Sequence, residues 1–257
     1  MKSSLPLILA LLLTSSTAGA TTLISESWES GWGSWGHKYG GADIVSDTTA
    51  PHSSNSLRIN IDYDMVGNSP EIIGKEFSAQ DEIWVQFYIK FSSNYQWPSI
   101  HDKLVFLTTP SNNFYIGLMW GNSFGLGSQI SWGPGSQNWN QSGGPSIKQN
   151  TWYKVVFHGV ANTPGRADGI GQLWINDQLA INASNVPYRN VGESCFNKIL
   201  LENVFGGPAG ARSGFPKYTW YDSVIVQTTP ISGGAIPPPS PSLSPKIPVP
   251  PSTVVIN

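Results

Sequence analysis

The stretch "IWVQFYIKF", residues 83–91, is the clearest indicator of the fold class, because apolar side chains alternate in it with aromatic and polar ones. Every odd-numbered residue from Ile83 to Phe91 is apolar, and the residues between them are Trp84, Gln86, Tyr88 and Lys90. A period of two is typical of a β-strand with one buried face. The stretch therefore predicts a strand whose second face presents a strip of aromatic, amide and cationic side chains.

Similar strand patterns recur along the chain, and helical periodicity is scarce. Strands are predicted in the segments 57–64, 103–109, 113–120, 151–160, 171–182, 197–205 and 218–227. Asn176-Asp177 predicts a tight turn inside the fifth of these segments. Residues 121–144 lack any period and predict long loops. Ten or so short strands joined by Gly, Pro, Asn and Ser predict an all-β sandwich of two antiparallel sheets.

Both ends of the chain differ in composition from the predicted domain, residues 21–230. Residues 1–20 predict a signal peptide, because Lys2 precedes the apolar run Leu5–Leu13 and a small-residue cleavage site at Ala18–Ala20. We expect a secreted protein, extracellular or periplasmic, without membrane insertion, since that run is too short to span a bilayer. Residues 231–257 are rich in proline and serine and predict a disordered, extended tail.

The composition narrows the classes of partner. The formal net charge is −2, so no global field attracts nucleic acid or a membrane surface. The single cysteine, Cys195, excludes an internal disulfide and is expected to be a buried small hydrophobe. Eleven tryptophans, with many Asn, Ser and Gly, favour a carbohydrate partner, although each tryptophan taken singly is expected in the core.

The stretch "PSIHDKLVFL", residues 98–107, places polar side chains just before a predicted strand. His101 and Lys103 are candidates for proton chemistry, with a turn cap and a solvent-facing charge as the alternatives. On the strand before it, Gln86 and Tyr88 form a candidate sugar-binding strip. Asn113 and Tyr115 are expected to extend that strip from the strand after it, with Phe114, Ile116 and Leu118 turned inward.

Four segments together resemble concanavalin A-like jelly-roll polysaccharide lyases of the alginate- and glucuronan-lyase group. They are "SESWESGWGSWGHKYGGADIVSDTTAPHSSNSLRINID", "WVQFYIKFSSNYQWPSIHDKLVFL", "NTWYKVVFHGVANTPGRADGIGQLWINDQLAIN", and "ENVFGG" with "YTWYDSVIVQTTPI". The resemblance implies a jelly-roll fold and β-elimination on polyuronates. That chemistry needs a group that neutralises the C5 carboxylate, a base for the C5 proton and an acid for the leaving oxygen.

The resemblance also implies roles for particular residues. Lys103 stands at the position of a family lysine, although the glycines and the Pro-Gly that flank it in the family are absent here. Tyr218 matches a tyrosine of the closing strand, and Gln86 a glutamine that faces the carboxylate. His101 is a nearby candidate base. Arg212 and Lys217, in a glycine-rich loop, are candidates for binding an acidic sugar.

Two other functions stay open at this point. A non-catalytic, lectin-like carbohydrate-binding domain on the same fold would also explain the surplus of aromatic residues. A glycoside hydrolase is disfavoured, because its chemistry needs two carboxylates facing one groove and no Glu-x-Asp-x-x-Glu spacing is present. No metal or cofactor is expected from the histidine spacing; a structural calcium held by loop oxygens is the alternative. We expect a monomer.

Overall fold

The computed structural model describes residues 20–37, 41–61, 73–98, 101–109, 113–129, 137–206 and 217–231. These residues form fifteen strands and no helix. The strands are β1 (Thr22–Glu26), β2 (Gly36–His37), β3 (Ala42–Ser46), β4 (Asn55–Ile61), β5 (Ile73–Gln80), β6 (Glu82–Phe91), β7 (His101–Thr108), β8 (Asn113–Met119), β9 (Phe124–Gln129), β10 (Gln137–Asn140), β11 (Tyr153–Val160), β12 (Gly169–Ile175), β13 (Gln178–Val186), β14 (Phe196–Gly206) and β15 (Lys217–Gln227).

The strands form two antiparallel sheets. The eight-stranded sheet has the order β13-β12-β11-β6-β15-β4-β3, with β1 also paired to β15. The seven-stranded sheet has the order β10-β9-β8-β7-β14-β5-β2. Consecutive strands β6 and β7 lie in different sheets, so the chain crosses from one layer to the other between them. The predicted all-β jelly-roll sandwich of two antiparallel sheets is confirmed.

One large core fills the space between the sheets. The predicted inward face of β6 is confirmed, since every odd-numbered side chain from Ile83 to Phe91 is fully buried in this core. Phe114, Ile116 and Leu118 of β8 face the same core from the other sheet, as predicted. Cys195 is also buried there, and burial raises the pKa of its thiol to about 12. It is therefore an inert packing residue.

The turn between β12 and β13 is the predicted one. Asn176 and Asp177 both have positive φ, 48° and 63°. Two successive left-handed residues make the turn whose twist matches a β-hairpin, and Asn and Asp tolerate that conformation better than other non-glycine residues. The hairpin register follows, with Ile175 paired to Gln178.

The prediction of structureless loops over residues 121–144 is wrong in part. This segment contains β9 and β10, which extend the seven-stranded sheet at one edge. Gly125 and Gly127 weaken the strand signal of β9, since glycine is depleted in strands. They are nonetheless required, because a Cβ at either position would overlap the side chain of Met119 or Tyr115 from the adjacent strand. Packing across the sheet therefore overrides local propensity.

The closing end of the domain packs onto the outer face of the eight-stranded sheet, the face turned away from the core. Ile231 is buried there against Trp84, Val156 and Trp174. Ile231 was predicted to begin the tail, and the structure instead gives it a packing role. The rest of the predicted tail and residues 1–19 lie outside the described residues.

Candidate functional site

Lys103 lies on the outer face of the seven-stranded sheet, at an irregular point of β7. The register with β8 shifts between Lys103 and Val105, and the register of β14 with β7 shifts over the same stretch. A bulge re-aims side chains, so residues an odd number apart can share a face. The Lys103 ammonium accordingly lies 5.8 Å from the centre of the Phe106 ring. Bulges are frequent next to active sites.

Lys103 is buried against aromatic rings. Its ammonium lies 5.0 Å from the centre of the Tyr115 ring, and the residue is only 8% exposed. Burial lowers the pKa of Lys103, because a charged ammonium loses its hydration there, and the charge of Glu202 on β14 opposes this in part. The lysine is thus a desolvated cation against two aromatic rings.

His101 begins β7 on the same face, and its Cα pairs with that of Met119. Its ring centre is 6.0 Å from that of Tyr115. Burial lowers the pKa of His101, and the positive charge of Lys103 lowers it further. The imidazole is therefore neutral at neutral pH and able to accept a proton.

Tyr115 lies across β9 rather than standing out from the sheet. Gly127 leaves the room for its ring, since a Cβ there would overlap the ring and the hydroxyl. The hydroxyl reaches β10 and donates a hydrogen bond of 3.1 Å to Oδ1 of Asn138. Burial raises the pKa of Tyr115 to about 12, so the phenol keeps its proton over the whole physiological range.

Three titratable groups of different kinds thus meet on one face. Lys103 can place a positive charge beside an anion, His101 can take a proton and Tyr115 can give one. Lys103 lies close to the Tyr115 ring, and His101 is near the same ring. We name this group, with Glu202 and Asn138 beside it, the Lys103 site.

The predicted strip of Gln86 and Tyr88 lies elsewhere. Both residues alternate with core residues of β6, so their side chains are on the outer face of the eight-stranded sheet. Tyr88 contacts His52 there, edge to face, with ring centres 4.7 Å apart. The prediction that Asn113 and Tyr115 extend this strip is wrong, because β6 and β8 belong to different sheets whose outer faces point in opposite directions.

Tyr218 is also separated from Lys103. Its neighbour Thr219 is buried and turned inward, where Asn203 of the opposite sheet donates to its hydroxyl. Tyr218 therefore faces outward on the eight-stranded sheet, next to Trp220 and with the guanidinium of Arg58 4.7 Å above its ring. The predicted pairing of Tyr218 with His101 and Lys103 in one site is wrong for that reason.

The remaining predicted residues have mixed outcomes. Asn113 is exposed at the far end of β8, on the same face as Tyr115. Asp222 of β15 is fully buried and serves the structure, since it accepts from the backbone of His52 and the hydroxyl of Ser53. Arg212 lies outside the described residues, as does the side chain of Lys217.

Sequence reasoning missed four residues in or beside the Lys103 site. They are Phe106, Met119, Asn138 and Glu202. Strand alternation places Met119 on the same face of β8 as Tyr115, so Met119 could have been predicted from the sequence. Phe106 depends on the bulge, and Asn138 and Glu202 on strand order. None of these three has a signal in the local sequence.

The described ranges were also compared with the requirements of a metal site and of a membrane span. No group of three or more His, Cys, Asp and Glu side chains within them is arranged to hold a metal ion. Nor does any helix within them offer a stretch long and apolar enough to cross a membrane. The absence of a cofactor and the alternative of a loop-bound calcium both remain predictions.

Comparison with solved structures places the fold beside polysaccharide lyases. The chain is similar to alginate lyase Aly36B, with 15% identity and a TM-score of 0.61 over 81% of this chain and 99% of that one. That structure holds an alginate trisaccharide and has alanine in place of one lysine and one methionine. It is similar to the endo-β-1,4-glucuronan lyase of the fungus Trichoderma reesei at 14% identity and a TM-score of 0.60, covering 82% and 95%. It is also similar to the PL-14 alginate lyase of Aplysia kurodai at 17% identity and a TM-score of 0.60, covering 81% and 100%.

The fold is shared more widely than with lyases. A botulinum neurotoxin type C structure, described as dependent on two ganglioside molecules for cell entry, matches at 13% identity and a TM-score of 0.54, covering 82% of this chain and 49% of that one. No protein-family model and no curated protein matches the chain. At these identities the comparisons show the fold, and the predicted resemblance to the jelly-roll fold of the alginate- and glucuronan-lyase group is confirmed.

Proposed function

We propose that this protein is a secreted polysaccharide lyase that cleaves a uronate-containing polysaccharide by β-elimination. The observation that carries the proposal is the Lys103 site. A buried cation, a neutral imidazole and a protonated phenol lie on one sheet face, in a fold shared with alginate and glucuronan lyases. Secretion rests on the signal-peptide pattern of residues 1–20.

The electrostatics of the Lys103 site suggest one role for each group. Lys103 would neutralise the C5 carboxylate of the sugar, which makes the C5 proton more acidic. His101 would take that proton, since its pKa is lowered by burial and by the charge of Lys103. The electron pair of the C5–H bond then forms the C4–C5 double bond as the C4–O bond breaks. Tyr115 would protonate the leaving oxygen, because its raised pKa keeps it in the acid form.

The substrate class follows from the same groups. A desolvated lysine binds an anionic group more tightly than a hydrated one, because less water has to be displaced. Asn138 adds an amide beside the Tyr115 hydroxyl, and amides bond well to sugar hydroxyls. An acidic polysaccharide therefore suits the site better than a neutral one. Two of the alginate complexes of Aly36B were obtained with variants lacking a lysine and either a methionine or a tyrosine. Residues of these three types also lie together here, as Lys103, Met119 and Tyr115.

The test is incubation of the purified full chain with alginate, polyglucuronate and heparin-type chains. Each cleavage would create an unsaturated uronate at the new end, detected by its ultraviolet absorbance. We expect absorbance to rise with at least one polymer. No rise with any of the three polyuronates would refute the lyase.

A carbohydrate-binding domain without catalysis is the second candidate. It is favoured by the similarity to a toxin domain whose described partners are gangliosides. In this case the polymer would retard the protein in an affinity gel while its chain length stayed constant. Shortening of the polymer in the same sample would exclude this candidate.

A further inference from the structure

Trp120 immediately follows β8 and is unusually exposed. Its side chain is 55% accessible, and the other large exposed hydrophobic residues in the described part of the chain are aliphatic. Single exposed apolar residues are common on protein surfaces, so exposure alone indicates nothing. Four other tryptophans, Trp28, Trp35, Trp84 and Trp174, are buried, which shows where this fold places indoles that serve packing.

The backbone at Trp120 is strained as well. Its φ is 47°, in the left-handed region that bulky residues avoid. The turn that imposes this conformation is anchored on both sides. The Gly121 amide donates to the Pro98 carbonyl at 2.9 Å, and the Asn122 side chain donates to the Ile147 carbonyl at 2.9 Å. Residues held in such conformations cluster at active sites, ligand clamps and switch regions. The buried Trp28 shares the left-handed φ, at 64°, so it is the combination with exposure that distinguishes Trp120.

The position of Trp120 relates it to the Lys103 site. Lys103 pairs with Gly117, and His101 pairs with Met119, the residue before Trp120. The three residue-to-residue steps from Gly117 to Trp120 correspond to about 10 Å at the rise of an extended strand. Trp120 therefore follows the His101 end of the site, far enough from Lys103 to contact a different sugar of a bound polymer than the one that reacts.

We propose that Trp120 is a stacking subsite for a sugar of the bound polysaccharide other than the reacting one. The proposal rests on the proposed function insofar as the ligand is a polysaccharide. The flat C–H face of a pyranose ring is apolar, and an indole offers a large rigid surface to it at little entropic expense. An indole held out in water by a strained, anchored turn is preorganised for such a contact.

The test compares Trp120→Ala and Trp120→Phe with the wild type on alginate and polyglucuronate. Removal of one stacked ring should raise KM about tenfold and leave kcat unchanged, since the contact is the same in ground and transition states. Trp120→Phe should recover part of the loss. The effect should disappear with the shortest oligosaccharide that is still cleaved, because that chain does not reach Trp120.

Val191→Ala is the control, because Val191 is the most exposed large hydrophobic residue of the described chain, at 77%. It should behave as wild type. An unchanged KM for Trp120→Ala, or an equal rise for Val191→Ala, would overturn the subsite while the lyase proposal stood. Affinity gels with the same polymers separate the two proposals further. If the wild type binds without cleaving and Trp120→Ala no longer binds, the lyase is refuted and the subsite is supported. If the wild type neither binds nor cleaves, both are refuted.

Discussion

The two outer faces of the sandwich differ in the partners that surround their cationic and titratable side chains. On the eight-stranded sheet, Lys90 lies 2.6 Å from Asp47, donates to Thr49 and is enclosed by the rings of Trp152 and Trp220. Burial alone would raise the pKa of Asp47, but hydrogen bonds from Lys90 and Thr49 bring it below its usual value. This arrangement binds a loop to the sheet and leaves the lysine fully engaged.

His158 on the same face is equally engaged. Its two ring nitrogens contact Glu82 and Gln172 at 2.9 and 3.0 Å, and its ring stacks on Trp84 with centres 4.0 Å apart. Gln172 in turn donates to Asn182 at 2.9 Å. Both ring nitrogens of His158 are thus occupied within this network, which positions the side chains.

The seven-stranded sheet shows the opposite arrangement around Lys103. Burial lowers the pKa of this lysine and the charge of Glu202 offsets only part of the effect, so the cation is held in an unfavourable environment. An incoming carboxylate would relieve that cost. Both lysines lie against aromatic rings, so the difference is the ion pair. Lys90 has a carboxylate at 2.6 Å and stabilises the fold, whereas Lys103 has no such ion pair among the described residues and is available to an anionic ligand.

Lys103→Met should reduce activity more than any other single substitution. The substitution keeps the apolar stem and removes the charge that would neutralise the C5 carboxylate. Turnover of the best polyuronate should fall about 10³-fold, by ultraviolet absorbance, because electrostatic stabilisation of a developing anion is a large term. The free energy of unfolding should not fall, because the substitution removes a charge whose burial costs free energy. Retained turnover would remove Lys103 from the site.

Lys90→Met is the matched change on the other face, with the opposite outcome expected. It leaves Asp47 buried without its cation, so the free energy of unfolding should fall by about 3 kcal/mol in chemical denaturation. The rate per folded molecule should stay unchanged. A loss of turnover with unchanged stability would reverse the comparison between the two faces.

Tyr115→Phe and Tyr218→Phe separate the two tyrosines. Loss of the Tyr115 hydroxyl should lower kcat about 10²-fold, as expected for a missing general acid, with little change in KM. Tyr218→Phe keeps the ring under Arg58 and should act as wild type. Equal losses in both variants would contradict the assignment of the site to one sheet face.

The pH profile gives the smallest but most specific effect. A His101 base must be neutral, so activity should rise with pH through a value below the usual histidine pKa of about 6.5. A Lys103 cation must be charged, so activity should fall again below the usual lysine pKa of about 10.4. His101→Gln should lower the rate and remove the acidic limb. An acidic limb that persists in this variant would assign the base elsewhere.

Local sequence was sufficient for part of this result. The period of two in residues 83–91 predicted β6 and its buried face, and the Asn176-Asp177 turn predicted the hairpin. The residue types of His101 and Lys103 and the family resemblance also make both residues candidates from sequence alone. These features depend on side chains near in sequence, whose geometry the strand period dictates.

Which of the candidate site residues lie on the same sheet face depends on the tertiary structure. Gln86, Tyr88 and Tyr218 have the right chemistry but lie in the eight-stranded sheet, and strand alternation cannot say which sheet a strand joins. The bulge at Lys103 brings Phe106 onto the same face, which a period of two forbids. Tyr115 reaches Asn138 because Gly127 on the strand between them has no side chain. Strands, their buried faces and two candidate site residues follow from local patterns. The rest depends on the pairing of distant strands, because only that pairing sets which side chains share a surface.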